Sequence, residues 1–153
     1  MASVTAESVV EATLKSYAAL PKHGKPSVRD NGVPEWTILA SISLTLPDAC
    51  SSTATNGTQV VPISIGTGVK VLPAARLPPL GDTVHDCHAE VLARRGFVRW
   101  LLDQATRVAR GEEHAGLVLW DAETKRFSLA PGVQAWLYVS ALPVGVAQHV
   151  LSC

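Results

Sequence analysis

The sequence predicts a layered α/β domain in which helices pack on a sheet. Three observations support this class: an amphipathic helix pattern opens the chain, two strand patterns follow it, and the longest helix pattern precedes three more strand patterns. The chain has 153 residues, of which 47% are hydrophobic, so it can bury a core of its own. Collagen-like, coiled-coil and wholly disordered chains are excluded.

The first helix is predicted over residues 5–19. Thr5 can cap its N-terminus, Glu7 lies in the first turn, and Pro21 ends it. One apolar face is expected to contact the sheet, and it comprises Val10, Leu14, Tyr17 and Ala18.

A Pro- and Gly-rich basic connector follows this helix. It carries Lys22, Lys25 and Arg29. Two interpretations stay open at this point: the connector contacts an anionic partner, or it is a solvated loop.

Two strands are predicted next. Residues 37–46 alternate apolar and polar side chains, which is typical of a half-buried antiparallel strand. Residues 59–65 form the second candidate, and Pro62 within it favours an edge position or a bulge. Gly66, Thr67 and Gly68 are expected to break that strand.

The longest helix is predicted to begin at Asp86 or Cys87 and to run to about Ala109, with Gly111 at its exit. Beyond it, residues 116–121 and 127–130 read as a hairpin around a charged turn, and residues 134–142 as a further strand.

Charge is sparse and unevenly spread. Thirteen Lys and Arg balance thirteen Asp and Glu, so no global basic field points to a nucleic-acid partner. No charged residue occurs between Arg126 and Cys153, which indicates buried strands. Pro and Gly residues interrupt this stretch, so a membrane span is not expected.

The cysteines favour a reducing compartment. Cys50, Cys87 and Cys153 are too widely spaced for a disulfide framework or a C-x-x-C metal knuckle. Glu7 and Glu11 lie where a signal peptide would carry a basic start and an apolar run. An intracellular location, nuclear or cytoplasmic, is therefore predicted, with no membrane partner.

The most informative motif is His88-Ala89-Glu90 at the start of the long helix. Zinc-dependent base deaminases need an imidazole ligand, two thiolate ligands and a nearby carboxylate that moves protons. One intervening residue can aim His88 and Glu90 into one pocket. The alternative is a surface or helix-capping histidine.

Arginines on the same helix raise a second question. Arg95 shares a helical stripe with apolar residues, and Arg94 lies beside it. A buried guanidinium needs a counter-charge, and few acidic residues are near, so an anion bound inside the fold or at its surface would balance it. Alternatively, both arginines extend into solvent beside Arg99. The stripe consists of Val91, Arg95, Val98 and Leu102.

Residues 86–95, DCHAEVLARR, preceded by GTGVK at 66–70, resemble the adenosine deaminases that act on RNA. LPKHGKP at 20–26 and EWTILA at 35–40 are similar to the members that act on tRNA. The likeness covers most of residues 5–142. It implies a cytidine-deaminase-like sandwich with a mixed central sheet, and hydrolytic conversion of adenosine to inosine next to the anticodon of an alanine tRNA.

The resemblance also implies residue roles. His88 would bind zinc, and Glu90 would donate and accept the proton. Lys70 and Asp86 match positions that line or support the site. Arg94 and Arg95 match arginines that hold inositol hexakisphosphate in related enzymes. tRNA is the implied partner, and DNA is not expected.

The chain departs from the family pattern after Pro143. Family members continue into Pro-Cys-Gly-Asp, whose Cys is the second zinc ligand, whereas this chain has Val144, Gly145 and Val146. One ligand of three is then present. We therefore interpret residues 1–143 as the N-terminal part of an adenosine-deaminase (editase) domain and 144–153 as a divergent tail, and expect this truncated chain to be inactive. The alternatives are a non-catalytic RNA-binding or regulatory fragment and a non-functional product.

Overall fold

The computed structural model describes residues 4–22, 25–46, 59–113 and 115–141. This part of the chain contains two α-helices, seven strands and a 3-10 turn at Ala74–Arg76. The helices are α1 (Ala6–Ala19) and α2 (Ala89–Arg110). The strands are β1 (Leu39–Leu46), β2 (Gln59–Thr67), β3 (Val69–Val71), β4 (Asp86–His88), β5 (Val118–Asp121), β6 (Arg126–Leu129) and β7 (Gln134–Val139). The predicted mixture of helices and strands is confirmed.

The main sheet has the strand order β2-β1-β7, with β1 in the centre. Both of its pairings are antiparallel, as are those of the two-stranded sheets β3-β4 and β5-β6. β2 and β7 run parallel to each other, but β1 separates them. A mixed sheet was predicted, and no parallel neighbours occur in the described ranges because β1 occupies the position between the two parallel strands.

Strand β1 is buried on both faces. Ala40 packs with Ala89 and Ala93 of α2, whereas the neighbouring Ser41 contacts α1. Successive strand residues point to opposite faces, so the helices cover opposite sides of the sheet. The prediction of a half-buried strand is therefore wrong. Its polar face is covered by a helix instead of water, and the hydroxyl-bearing residues Ser41, Ser43 and Thr45 are 0%, 0% and 2% exposed.

Helix α1 presents a different face from the one predicted. Val9 and Thr13 are buried, while Leu14 is 48% exposed. The Thr13 and Ser41 hydroxyl oxygens lie 2.6 Å apart, and this buried hydrogen bond turns the helix toward the sheet. The predicted cap is confirmed, because the Thr5 hydroxyl accepts a hydrogen bond from the Ser8 amide.

Helix α2 lies unusually close to β2 at Gly66. A Cβ atom at Gly66 would lie 2.3 Å from the Ala89 carbonyl oxygen and 2.7 Å from the Ala93 nitrogen. β2 continues through Gly66 to Thr67. The predicted break within residues 66–68 is confirmed and falls at Gly68, where φ is +153°. Glycine at position 66 thus sets the helix-to-sheet spacing.

The long helix also starts later than predicted. Asp86, Cys87 and His88 form strand β4, because they pair with β3. α2 begins at Ala89, and its C-cap Gly111 has the left-handed φ of +67° that favours glycine. No helix within the described ranges is long and apolar enough to cross a membrane.

The remaining strands occur where they were predicted, but β7 ends at Val139, and residue 142 lies outside the described residues. The prediction that the uncharged strands are buried is wrong, because β6 and β7 are exposed or only partly buried. β2 is an edge strand of the described sheet, and its register with β1 shifts at Pro62. β5 and β6 form the expected hairpin. Asp121 stabilises the turn, because its carboxylate accepts hydrogen bonds from the Glu123 amide and from the Thr124 amide and hydroxyl.

The Gly66 contact predicts a strong and local packing effect. Gly66→Ala should destabilise the chain by about 1–3 kcal/mol or more, because the added methyl group meets backbone atoms that cannot move aside. Gly96→Ala is the matched control, since its Cβ would meet only the Ser64 side chain at 3.1 Å and would gain helix propensity. Urea denaturation should show the larger loss for Gly66→Ala; equal losses would contradict the assignment.

The hydrogen bond between α1 and β1 predicts a coupled pair. Thr13→Val should cost about 1–3 kcal/mol, because it leaves the buried Ser41 hydroxyl without its partner. Adding Ser41→Ala should recover part of that loss. A double-mutant cycle measured by urea denaturation checks this, and strictly additive effects would show that the two hydroxyls are not coupled.

Candidate active site at the β3-β4 ribbon

The candidate site residues lie on β4 and on the first turn of α2. β4 pairs with β3 so that Val69 faces His88, Lys70 faces Cys87 and Val71 faces Asp86. His88 is the N-cap residue of α2, and Glu90 lies in the helix's first turn. The strand therefore leads directly into the helix, and the Gly66 contact holds that junction against the sheet.

Asp86 and His88 are brought into direct contact. The Asp86 Oδ1 atom accepts a hydrogen bond from the His88 backbone amide and lies 2.9 Å from the His88 Nδ1. The backbone amide, followed by the imidazole, lowers the pKa of Asp86 below its ordinary value. An ionised carboxylate only accepts hydrogen bonds, so Nδ1 carries the proton. In the neutral form of the imidazole, Nε2 is then the nitrogen with a free lone pair.

Glu90 lies two residues beyond His88 and is half-buried. Its carboxylate lies in the first turn of α2, near the positive end of the helix dipole. It makes no hydrogen bond to another described residue. Such a carboxylate can exchange a proton with a bound molecule.

Lys70 does not join this group. The β3-β4 register places Lys70 and Cys87 on one face of the ribbon and Asp86 and His88 on the other, because side chains alternate along a strand. Lys70 and Asp86 are both predicted to line or support the site, but the ribbon places their side chains on opposite faces. The expectation that Cys87 points away from His88 is consistent with this register.

The described residues do not form a complete zinc site. They contain no group of three or more His, Cys, Asp or Glu side chains that could hold a metal ion. His88 offers one imidazole nitrogen, while Cys50, His149 and Cys153 lie outside the described residues. A tetrahedral site needs more ligands than this, so the described donor set does not fit zinc by itself.

The arginines of α2 face outward. Arg94, Arg95 and Arg99 are exposed, and they line a shallow groove with Val98 and Leu102, which are 40% and 64% exposed. The small residues Ala89 and Ala93 face the sheet in place of Arg94 and Arg95. The alternative of solvent-facing arginines is confirmed. Within the described ranges none of the three forms an ion pair.

The basic connector is a small ordered hairpin. Val28 bridges Pro34, the Arg29 amide donates to the Val33 carbonyl oxygen, and the Glu35 amide donates to that of Ser27. Arg29 Nε and Glu35 Oε1 form an ion pair at 3.3 Å. This hairpin ends at Trp36, which is 74% exposed.

A groove of about 520 Å³ connects this hairpin to the β3-β4 ribbon. We call it the basic groove, and the residues that line it include Lys25, Arg29, Glu35, Trp36, Lys70 and Cys87. Sequence reasoning missed Trp36, because an isolated tryptophan usually indicates a buried side chain. The signal that could have found it is its position between a basic connector and a predicted strand.

Comparisons with known proteins agree on one family. The adenosine-deaminase (editase) domain matches residues 64–152, a region that includes Lys70, Asp86, His88, Glu90, Arg94 and Arg95. The match also includes most of segment 144–153, whose assignment as a divergent tail stays a prediction.

Among full-length relatives, the fission yeast Schizosaccharomyces pombe has a tRNA-specific adenosine deaminase 1 that is 36% identical over 142 residues, 92% of this chain and 34% of the relative. The human protein of that name is 36% identical over 114 residues, 71% of this chain and 22% of the relative. A rat double-stranded RNA-specific adenosine deaminase is 30% identical over 89 residues, 58% of this chain and 8% of the relative. The chain thus spans about a third or less of these proteins.

The connector hairpin predicts a pH dependence. The Ser27 amide, followed by the Arg29 guanidinium, lowers the pKa of Glu35 below its ordinary value of 4.5. A lowered pKa means that the ionised carboxylate stabilises the hairpin above the ordinary value, and that this contribution is lost as pH falls through the lowered pKa. Carboxyl and amide NMR signals of Glu35 and Ser27 should change together in that acidic range.

Two variants check the cause of this pKa shift. Glu35→Gln should remove the acid transition of the Ser27 amide. Arg29→Ala should raise the Glu35 pKa only part of the way back, because the Ser27 amide remains. A complete return to the ordinary value in Arg29→Ala would show that the ion pair, and not the amide, dominates.

Proposed function

Because the chain belongs to the adenosine-deaminase (editase) domain family, we propose that it contributes the proton-transfer part of a site that converts adenosine to inosine in tRNA. The substrate class comes from relatives named as tRNA-specific adenosine deaminases. The observation that carries the proposal is the position of three residues at the β4-α2 junction, inside the matched region. Asp86 contacts His88, and Glu90 lies in the first turn of the helix that His88 caps.

Hydrolytic deamination of adenine needs two proton movements. Water adds to C6 of the base, which requires removal of a proton from that water. That first proton is delivered to N1 of the ring, and the proton of the new C6 hydroxyl is then delivered to the amino nitrogen, which leaves as ammonia. A single carboxylate can take the first proton and return it, and general acid-base catalysis of this kind contributes about 10²–10⁴-fold.

Glu90 is the residue to which we assign this exchange. It is half-buried, lies at the positive end of α2 and has no hydrogen-bond partner among the described residues. Asp86 has a positioning role, because it holds the His88 Nδ1 and leaves Nε2 available to the site. The direct link from β4 to α2 fixes the spacing between His88 and Glu90.

The finer expectations remain proposals. We propose that α1, the main sheet and α2 are three layers of a cytidine-deaminase-like sandwich. A zinc ion at His88 would take its further ligands from outside the described residues, so no reaction step is assigned to it. Inositol hexakisphosphate would meet Arg94 and Arg95 at the protein surface, where both are exposed.

A second candidate function is RNA binding without catalysis. It is favoured by the basic groove. In this case tRNA binding would be salt-dependent and unaffected by Glu90→Ala.

A chimera separates the two candidates. The matching segment of the fission yeast relative is replaced by residues 4–141 of this chain, and inosine in an alanine tRNA transcript is measured by sequencing. We expect the chimera to form inosine, and Glu90→Gln to lower the rate by about 10²–10⁴-fold. Glu123→Gln, in the exposed β5-β6 turn, is the matched control and should leave the rate unchanged.

The unmodified chain is assayed beside the chimera. We expect the chain alone to form no inosine. Salt-dependent tRNA binding by the chain, with no inosine from a folded chimera, would favour the second function. Full activity of the Glu90→Gln chimera would contradict the assigned proton transfer.

A further inference from the structure

The basic groove has the chemistry of a nucleotide-binding surface. Among the described residues that line it, Lys25, Arg29 and Lys70 supply three cations, and Glu35 supplies one carboxylate. Trp36 is 74% exposed and adds an aromatic face on which a base can stack. A cationic groove that also presents an aromatic ring matches a single-stranded nucleic acid, whose phosphates are anionic and whose bases stack.

The cations of the groove differ in how free they are. Arg29 is paired with Glu35, so its charge holds the hairpin. Lys25 is anchored, because its Nζ donates to the Ala18 carbonyl oxygen and lies 5.2 Å from the centre of the Tyr17 ring. Lys70 is exposed and has no ion pair with any described residue. Lys70 is therefore the freest ammonium group for a phosphate, and Lys25 can add a contact because its ammonium has N–H bonds beyond the one donated to Ala18.

The backbone on both sides of Trp36 is held in place. Trp36 directly follows Glu35, whose backbone amide and carboxylate are both tied to Ser27. On its other side the chain enters β1 at Leu39. The backbone that carries the indole thus needs little further ordering when a base stacks on the ring, which favours binding.

The groove cannot hold the reacting base itself. It lies on the Lys70 and Cys87 face of the ribbon, whereas Asp86 and His88 project from the opposite face. An RNA strand can present one base to His88 and Glu90 and pass around the edge of the ribbon. Only a neighbouring nucleotide of that strand then reaches Trp36.

We propose that the basic groove binds an unpaired nucleotide flanking the reacting adenosine, with its base stacked on Trp36 and its phosphates contacted by Lys25 and Lys70. This proposal rests on the proposed function, because that function supplies the RNA. It adds a binding subsite that is separate from the reacting groups.

Binding of a labelled single-stranded RNA to the full chain tests the proposal, with fluorescence anisotropy as the readout. Trp36→Ala should weaken binding by about 5- to 100-fold, the range for loss of one stacked base. Trp36→Phe keeps an aromatic face and should weaken it less. Trp120→Ala is the matched control, because Trp120 is also exposed, at 48%, but lies on the β5-β6 hairpin.

Salt dependence tests the phosphate contacts separately. Lys70→Met should reduce the slope of log affinity against log salt by about 0.7, the value for one contact to a single strand. Lys15→Met, on the exposed face of α1, should leave the slope unchanged. Quenching of tryptophan emission on RNA binding should be smaller in Trp36→Phe than in the parent chain.

The outcomes distinguish this proposal from the one on which it rests. RNA binding that is equal in Trp36→Ala and Trp120→Ala overturns the stacking subsite but leaves deamination untouched. Inosine formation by the chimera with no RNA binding by the chain at low salt also overturns it. Failure of both measurements overturns the proposed function and the subsite together. Circular dichroism shows whether each variant is folded.

Discussion

The close approach of α2 to β2 at Gly66 is the constraint on which the described structure depends. A side chain there would overlap the Ala89 carbonyl oxygen, so the first turn of α2 can lie directly on the sheet only because residue 66 has none. His88 is the residue before that turn and Glu90 is within it. The position of both groups relative to the sheet is thus set by the absence of one methyl group, and small residues at Ala40, Ala89 and Ala93 continue the same contact.

The opposite side of the sheet is held together by different chemistry. There β1 presents hydroxyl groups, and the Thr13–Ser41 hydrogen bond joins α1 to the strand in a setting that excludes water. A buried polar group without a partner destabilises a fold by more than a good hydrogen bond stabilises it. This side therefore fixes the orientation of α1 strictly while adding little apolar burial. Small side chains determine how α2 packs on one face of the sheet, and a hydrogen bond orients α1 on the other.

The sequence predicted the elements better than the way they pack. Period-two alternation identified β1. Its serine and threonine residues were predicted to face solvent, because the sequence pattern does not show that α1 packs over them. Helical periodicity found a stripe through Arg95 on α2, yet the buried face consists of alanines, which carry little apolar signal. The motif groups His88 with Glu90, and the structure places these two residues at the start of α2. The separation of Lys70 from Asp86 depends on the β3-β4 register, which no local pattern contains, and Trp36 lies outside every periodic segment.

A two-stranded ribbon with different residues on its two faces has an evolutionary consequence. Alternation assigns odd and even positions of β4 to separate surfaces, so a substitution at Cys87 or at its partner Lys70 alters one surface without moving His88 on the other. On the proposed assignment, residues that bind the RNA and residues that act on the reacting base occupy neighbouring positions, such as Cys87 and His88, and can be substituted independently. A lineage could therefore change which RNA it accepts while its reacting groups stay the same.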